Sequence, residues 1–186
     1  MKVVSGVKMM KLHQKVYKIS STLLQYPTEE WIKSIDEIKF ELNKLDETVA
    51  KTHLNSFLSY VESTPLQTLC EKYVYTFDYH GIVTLHLTYH VFKDSRQRGE
   101  ALVKLRNIFQ ESNLLALTDE LPDYLPLILE FLAVATTEQM NYVLKLHYNS
   151  MIKLHDDLVK GDSVYHYILK AINEVSLQQL ENKDVS

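Results

Sequence analysis

Apolar residues recur every three or four positions in the first part of the chain, which predicts a series of amphipathic helices. The first helix is expected to end where Tyr26-Pro27 requires an extended backbone, because proline disfavours a helical residue before it. Thr28 is a favourable N-cap for the second helix, and Thr64 is predicted to cap the fourth, with Pro65 at its first position. The stripes of the four helices are, in order, Leu12, Val16, Ile19 and Leu23; Trp31, Ile35, Ile38, Leu42 and Leu45; Leu54, Phe57, Leu58 and Val61; and Leu66, Leu69, Cys70, Tyr73, Val74 and Phe77.

The segment 82–92, which follows a break at Gly81, fits two patterns. Apolar residues alternate from Val83 to Val91 as in a strand, but a second set would share one face of a helix: Ile82, Leu85, Tyr89 and Phe92. A single strand without a partner is unstable, so we expect this segment to be helical.

The second half of the chain predicts four further features: an amphipathic helix over 97–111, a loop over 113–120, an apolar helix over 123–135 and a long helix over 138–160. Pro126 would clash inside a helix, so Asp123 is the expected N-cap of the apolar helix, which should lie at the centre of a bundle. Gly161 is expected as the C′ residue of the long helix, and Ser163 as the cap of a last helix.

These elements predict an all-α, single-domain helical bundle of about eight or nine helices. We expect the folded domain to cover residues 11–180, with a flexible N-terminus over 1–10 and a frayed tail over 181–186. Only four glycines and four prolines occur in 186 residues, too few for the turns of a many-stranded sandwich or barrel.

Composition points to a protein of the cytoplasm. The single cysteine, Cys70, excludes an intramolecular disulfide and a site with several cysteine ligands, which fits a reducing compartment. The chain has no long apolar stretch that would cross a membrane, and its first residues resemble no signal peptide.

The net charge of −4 is distributed unevenly. Residues 1–27 carry five lysines and no acidic residue, whereas residues 119–186 are strongly acidic. Nucleic-acid binding needs a basic face, and only the first helix offers one, so a DNA-binding regulator is the weakest of our hypotheses. The acidic second half would suit a cationic partner, although a solvated surface also explains it.

Few residues suggest catalysis. His86 and His90 are spaced as two metal ligands on one helix face, but the HExxH pattern is absent and the nearest acid, Asp94, lies beyond the predicted helix. The glycines form no phosphate loop, and Cys70 lies on an apolar stripe as a buried, inert thiol would. We therefore expect a binding protein without a cofactor, and keep a metal-dependent all-helical enzyme using His86 and His90 as the alternative.

The segment Glu120-Leu121-Pro122-Asp123-Tyr124-Leu125-Pro126 differs from the rest of the chain, because two prolines bracket an acidic turn that opens the most apolar helix. Such a turn is stiff and would hold its carboxylates at the edge of a groove. The simpler interpretation is that Asp123 only caps the helix and Pro122 only stiffens the turn.

This segment, with Tyr73-Val74-Tyr75-Thr76-Phe77-Asp78, Arg98-Gly99-Glu100-Ala101-Leu102 and Leu24-Gln25-Tyr26-Pro27, resembles the nitrate reductase molybdenum cofactor assembly chaperones (NarJ), within the wider TorD/DmsD family. The resemblance covers roughly residues 12–180. The combination of Tyr-Val-x-Thr-Phe-Asp with Leu-Pro-Asp-Tyr-Leu-Pro is specific to the nitrate reductase branch. The first eight residues match nothing in the family, so Met9 or Met10 could equally be the native start.

The resemblance implies an all-helical, non-catalytic chaperone. It would bind the N-terminal segment of the nitrate reductase catalytic (alpha) subunit and hold it in the cytoplasm until the molybdenum cofactor is inserted. The chaperone itself would need no cofactor and would not remain in the finished enzyme.

For such a partner we expect helix-in-groove recognition, in which an amphipathic basic segment lays its apolar face between helices. Aromatic and aliphatic residues would form the wall of the groove, acids its charged rim, and Pro122 would stiffen the turn. The predicted wall is Tyr73, Phe77, Tyr124 and Leu125, and the predicted rim is Asp78, Glu120 and Asp123. Arg98 and Gly99 would contact the partner or have a structural role. The contact of Arg98 could be the partner, the cofactor or an internal acid such as Asp78, and we favour the structural role.

Overall fold

The computed structural model describes residues 10–79, 83–111 and 119–182, and over these residues the chain forms nine helices. They are α1 (Leu12–Leu23), α2 (Glu29–Asn43), α3 (Val49–Glu62), α4 (Leu66–Phe77), α5 (Leu87–Phe92), α6 (Arg96–Glu111), α7 (Leu125–Val134), α8 (Thr137–Lys160) and α9 (His166–Glu181). The prediction of an all-α bundle is confirmed. The expected flexible N-terminus and frayed tail fall mostly on residues 1–9 and 183–186, and most of the predicted loop falls on 112–118, all outside the described residues.

Helix ends follow the local chemistry of the sequence in several places. The Thr28 hydroxyl accepts a hydrogen bond from the Trp31 backbone N–H at 3.1 Å, as predicted for the start of α2. Thr136 and Gln139 form a reciprocal capping box at the start of α8. These caps satisfy N–H groups that have no partner within their own helix.

Three predicted helix ends are wrong in detail. Pro65 is the N-cap of α4, and the Thr64 hydroxyl instead donates to the Tyr60 carbonyl of α3. The last helix begins at His166 and not directly after Ser163, because a turn intervenes in which the Ser163 carbonyl accepts from the His166 N–H. Gly161 is the C-cap of α8 with an ordinary right-handed φ of −82°, and the positive φ lies at the next residue.

The segment 82–92 combines the two patterns that its sequence carries. Only Leu87–Phe92 is helical, and residues 80–82 lie outside the described part of the chain. His86 forms a single antiparallel bridge with Tyr124, in which the Leu87 N–H donates to the Asp123 carbonyl and the Leu125 N–H to the Leu85 carbonyl. The expected helix over the whole segment is therefore wrong, since a partner for the extended residues exists outside it.

The apolar helix α7 lies at the centre of the bundle, as predicted. Seven of its ten residues are buried, and it packs against α1, which also contacts α9. The Ser21 hydroxyl donates to the Pro126 carbonyl at 2.9 Å, which ties the start of α7 to α1. Asp123 does not cap this helix. Tyr124 occupies the N-cap position, and the Asp123 carboxylate points to α5 and α6 instead.

In the described residues, no helix is long and apolar enough to span a lipid bilayer. The longest, α8, has an apolar face that packs on α9 and a polar face that carries its lysines and acids.

Candidate functional site

A buried cluster of aromatic rings lies under the surface of α4. Tyr73 and Phe77 have ring centroids 4.9 Å apart, and Phe77 lies 4.9 Å from Tyr165, which precedes α9. The Tyr73 hydroxyl donates to the Leu24 carbonyl at 3.1 Å, which ties α4 to the end of α1. Edge and tilted contacts at such distances are favourable for aromatic pairs, so the cluster is a firm floor for the surface above it.

Above this floor lies an open groove of about 510 Å³, which we call the tyrosine groove. Its side chains come from the turn after α1 and from the outer face of α4. They are Tyr26, Cys70, Glu71, Val74, Tyr75 and Tyr79. Tyr79 is 78% exposed, Tyr75 57% and Tyr26 46%, which is unusual for three large aromatic residues at one place. Clustered exposed apolar surface of this kind is typical of binding sites.

Carboxylates border the tyrosine groove. Burial raises the pKa of the Tyr124 hydroxyl, the hydrogen bond with Tyr73 lowers it, and the negative charges of Glu120 and Asp78 raise it further. The hydrogen bond with Cys70 is the main cause of the raised pKa of Tyr26, and burial is the main cause for Tyr73; the charge of Asp78 raises both further. Asp78, Glu120 and Glu71 are all exposed and give this side of the groove a negative rim.

The structure thus brings together five of the eight residues predicted for the peptide site: Tyr73, Phe77, Asp78, Glu120 and Tyr124. The other three are buried. Asp123 and Leu125 are each 0% exposed and Pro122 is buried, so Asp123 is not on the rim and Leu125 is not on the wall. Tyr73 and Phe77 are themselves nearly covered and form the floor, since the outer tyrosines and Tyr124 lie nearer the surface.

Asp123 is the centre of a buried polar network. Its carboxylate accepts hydrogen bonds from the backbone N–H and the hydroxyl of Thr88, lies 3.1 Å from His86 Nδ1 and pairs with Arg98 at 3.7 Å. Burial alone raises the pKa of the Asp123 carboxyl, but the hydrogen bonds of His86 and Thr88 and the charge of Arg98 outweigh it and hold the pKa below its ordinary value. The network fixes the turn before α7 to α5 and α6.

Arg98 therefore has an internal acid as partner, but that acid is Asp123 and not Asp78. Its Nε also donates to the Thr88 hydroxyl at 3.2 Å, and its guanidinium lies over the Tyr89 ring. A side chain added at the neighbouring Gly99 would meet no atom within 4 Å. Gly99 is therefore not required by close packing.

His147 of α8 lies close to this network. It is buried, and its Nε2 has no hydrogen-bond partner. Burial lowers the pKa of His147 to about 4, against the opposing attraction of Asp123. The imidazole is neutral in the folded protein at neutral pH.

The two histidines considered as metal ligands have internal partners. His86 contacts Asp123, an acid that the sequence did not place near it, and His90 Nε2 lies 2.8 Å from the Thr84 carbonyl. Among the described residues, no three His, Cys, Asp or Glu side chains are arranged to hold a metal ion.

The sequence interpretation missed the three most exposed aromatic residues of the groove: Tyr26, Tyr75 and Tyr79. A signal was available, because Tyr75 and Tyr79 are four residues apart and lie off the apolar stripe of α4. Cys70 was expected to be buried but is only half-buried and lines the groove, where its thiol donates to the Pro27 carbonyl at 3.1 Å.

Comparison with known proteins places the chain in a family. The sequence profile described as nitrate reductase delta subunit matches residues 42–157. The chain belongs to this family. It is 32% identical over 170 residues to the probable nitrate reductase molybdenum cofactor assembly chaperone NarJ of Bacillus subtilis (strain 168), covering 89% of the chain and 92% of that protein. The resemblance found in the motifs is confirmed.

Two further relatives match the chain over shorter parts of their own length. The probable assembly chaperone NarW of Escherichia coli (strain K12) is 32% identical over 124 residues, 67% of the chain and 52% of NarW. The nitrate reductase-like protein NarX of Mycobacterium tuberculosis (strain ATCC 25618 / H37Rv) is 27% identical over 84% of the chain, which corresponds to 24% of NarX. NarJ and NarW are named as chaperones and not as enzymes, in agreement with the prediction of a non-catalytic protein.

The fold has a solved counterpart. A putative redox enzyme maturation protein from Archaeoglobus fulgidus superposes with a TM-score of 0.64 over 92% of the chain and 98% of its own length, at 15% identity. At this identity the likeness concerns the helical fold alone.

Proposed function

We propose that the chain is an assembly chaperone of nitrate reductase. It binds the N-terminal segment of the catalytic (alpha) subunit and holds that subunit competent for insertion of the molybdenum cofactor. The observation that carries this proposal is the exposed tyrosine groove with its acidic rim, found in a member of a family whose relatives are named as chaperones of this assembly. The chain acts in the cytoplasm and uses no cofactor of its own.

The groove suits an amphipathic, positively charged helix. Tyr26, Tyr75 and Tyr79 offer rigid apolar surface together with hydroxyl groups, and such residues lose little side-chain freedom when they bind. Asp78, Glu120 and Glu71 attract positive charges before contact is made, which raises the association rate more than it raises the affinity. The aromatic residues therefore provide the affinity and the acids guide the approach.

The buried network around Asp123 supports this site from below. Asp123 joins the turn that carries Glu120 and Tyr124 to α5 and α6 through Thr88, His86 and Arg98. A fixed turn keeps the Tyr124 ring and the Glu120 carboxylate beside α4, so less order has to be imposed when the partner binds.

Calorimetric titration of the purified chain tests the proposal. The ligand is a synthetic peptide that copies the N-terminal segment of the nitrate reductase catalytic subunit from the same organism. Tyr79→Ala is expected to weaken binding about tenfold or more, because it removes an exposed aromatic contact. Tyr142→Ala is the matched control, since Tyr142 is a tyrosine of α8 with 52% exposure that lies outside the groove.

Circular dichroism of both variants checks that the helices are intact. Absence of peptide binding to the unaltered chain contradicts the proposal, as does equal weakening by the two substitutions. Capture of the catalytic subunit from cells, with and without deletion of its N-terminal segment, tests the same partner in its natural setting.

A further inference from the structure

A second hollow adjoins the tyrosine groove, and Tyr75 lines both. It lies between the end of α4 and the C-terminal end of α8, has a volume of about 280 Å³ and has a mainly apolar lining. The side chains used below are Tyr75, Thr76, Val83, Leu158 and Ser163, and Gly161 also lines the space.

Two hydroxyl groups of the hollow are already bonded to each other. The Thr76 and Ser163 hydroxyl oxygens are 3.2 Å apart, so these two groups satisfy each other across the contact between α4 and the turn after α8. Leu158 is fully buried, and Val83 packs against the core. A ligand in the hollow would therefore meet mainly apolar surface and few hydrogen-bonding groups that lack a partner.

Gly161 lines this hollow without a side chain. Its φ of −82° is one that any residue adopts, so the backbone does not require glycine here. A Cβ at this position would meet only backbone oxygens of its own helix, at 3.4 Å from Asp157 and 3.7 Å from Leu158, which is ordinary contact. The main effect of the missing side chain at Gly161 is therefore on the free volume of the hollow beside it.

The charges around the hollow differ from those of the tyrosine groove. Asp157 also lines the hollow, and its carboxylate pairs with Lys153 at 3.1 Å and with Lys160 at 3.6 Å. Near the groove, the charges of the acids Glu120 and Asp78 act on Tyr124. The hollow is thus apolar, and the charges at its opening neutralise each other. The groove, in contrast, is aromatic and has an acidic rim.

We propose that this hollow is the specificity pocket for one bulky apolar side chain, of leucine or phenylalanine size, on the segment bound in the tyrosine groove. The inference rests on the proposed function. Because Tyr75 forms a wall of both spaces, a helix lying in the groove places its next apolar side chain over the hollow. That side chain lies three, four or seven residues from the one in the groove, the spacings that share one helix face.

Peptide titrations in a double-mutant cycle test the pocket. Each apolar residue of the catalytic-subunit peptide is replaced in turn by alanine, and every peptide is titrated against the unaltered chain, Gly161→Leu and Tyr79→Ala. The leucine fills the hollow from its edge, and Gly161→Ala is the control that adds a side chain but little volume. We expect Gly161→Leu to weaken binding of the parent peptide about tenfold, which is the size of effect expected when a buried anchor residue loses its contacts.

At one peptide position, alanine should weaken binding to the unaltered chain but hardly weaken binding to Gly161→Leu. At a different position, the effect of alanine on binding should be lost in Tyr79→Ala. Val83→Phe fills the hollow from another wall and should repeat the result if Gly161→Leu folds poorly by circular dichroism. If the peptide binds the unaltered chain but no position is coupled to either filling variant, the pocket is disproved and the proposed function stands. Failure of the peptide to bind the unaltered chain overturns both.

Self-association is the other use that such a hollow could serve. Sedimentation of the unaltered chain over a range of concentrations is expected to show no dimer that Gly161→Leu removes. A concentration-dependent dimer that this substitution abolishes would assign the hollow to a second copy of the chain and overturn the proposal.

Discussion

The tyrosine groove and the Asp123 network lie on neighbouring parts of the molecule but are built in opposite ways. In the groove, aromatic residues that would ordinarily be covered are exposed, whereas in the network an acid that would ordinarily be exposed has 0% exposure. Both arrangements include residues of the motifs that resemble the assembly chaperones, Tyr26 and Tyr75 in the groove and Asp123 and Arg98 in the network. Under the proposed function, these motifs have two tasks: to form the surface that binds and to form the interior that holds this surface in place.

The network should respond most strongly to substitution. Asp123→Ala leaves Arg98, His86 and the Thr88 N–H without their partner in a buried place, and we expect a loss of about 3–5 kcal/mol in the free energy of unfolding. Urea denaturation followed by circular dichroism measures it. Asp119→Ala, in the same turn but exposed, is the control and should change the stability by less than about 0.5 kcal/mol. Equal stability of the two variants would show that the network is not structural.

His147 gives this region a dependence on pH. Its pKa is lowered to about 4 in the folded protein, against an ordinary value of 6.5, so the unfolded chain binds a proton more readily between these values. Its contribution to stability is therefore complete above pH 6.5 and is lost as the pH falls towards 4, by about 3 kcal/mol in all. His147→Leu should flatten the dependence of the free energy of unfolding on pH in this interval. An unchanged slope in His147→Leu would contradict the buried neutral imidazole.

The rim of the groove should show the smallest effects, and on a different quantity. Asp78→Asn and Glu120→Gln are expected to reduce the association rate of the peptide a few-fold at low salt, because exposed charges guide approach and are screened by ions. The measurement is stopped-flow fluorescence at two salt concentrations, with Glu130→Gln on the exposed side of α7 as control. A loss of rate that persists at high salt would indicate a contact role for these acids.

The helices of this fold could be predicted from sequence because each signal is local. Apolar spacing, Thr28 before α2 and the apolar length of α7 act within one or two turns. The extended residues around His86 could not be predicted in this way. Their partner is Tyr124, which lies 38 positions further along the chain.

The candidate site shows the same limit. The sequence placed Asp123 on the rim and at the cap of α7, since an acid before a proline-containing helix start usually has such a role. Its burial depends on Thr88, His86 and Arg98, which are distant in sequence and converge only after folding. Conversely, Tyr75 and Tyr79 were passed over because the apolar stripe of α4 accounts for its packing without them.

The most direct test of the account is photo-crosslinking from the groove. The photoreactive residue p-benzoylphenylalanine replaces Tyr79 in one variant and Tyr142 in another, and each is irradiated with the N-terminal peptide of the catalytic subunit. We predict a crosslinked product from position 79 and none from position 142, with the amount reduced by an excess of unlabelled peptide. A product from position 142 alone, or no product from position 79 under conditions in which the peptide binds, would contradict the assignment of the tyrosine groove as the binding surface.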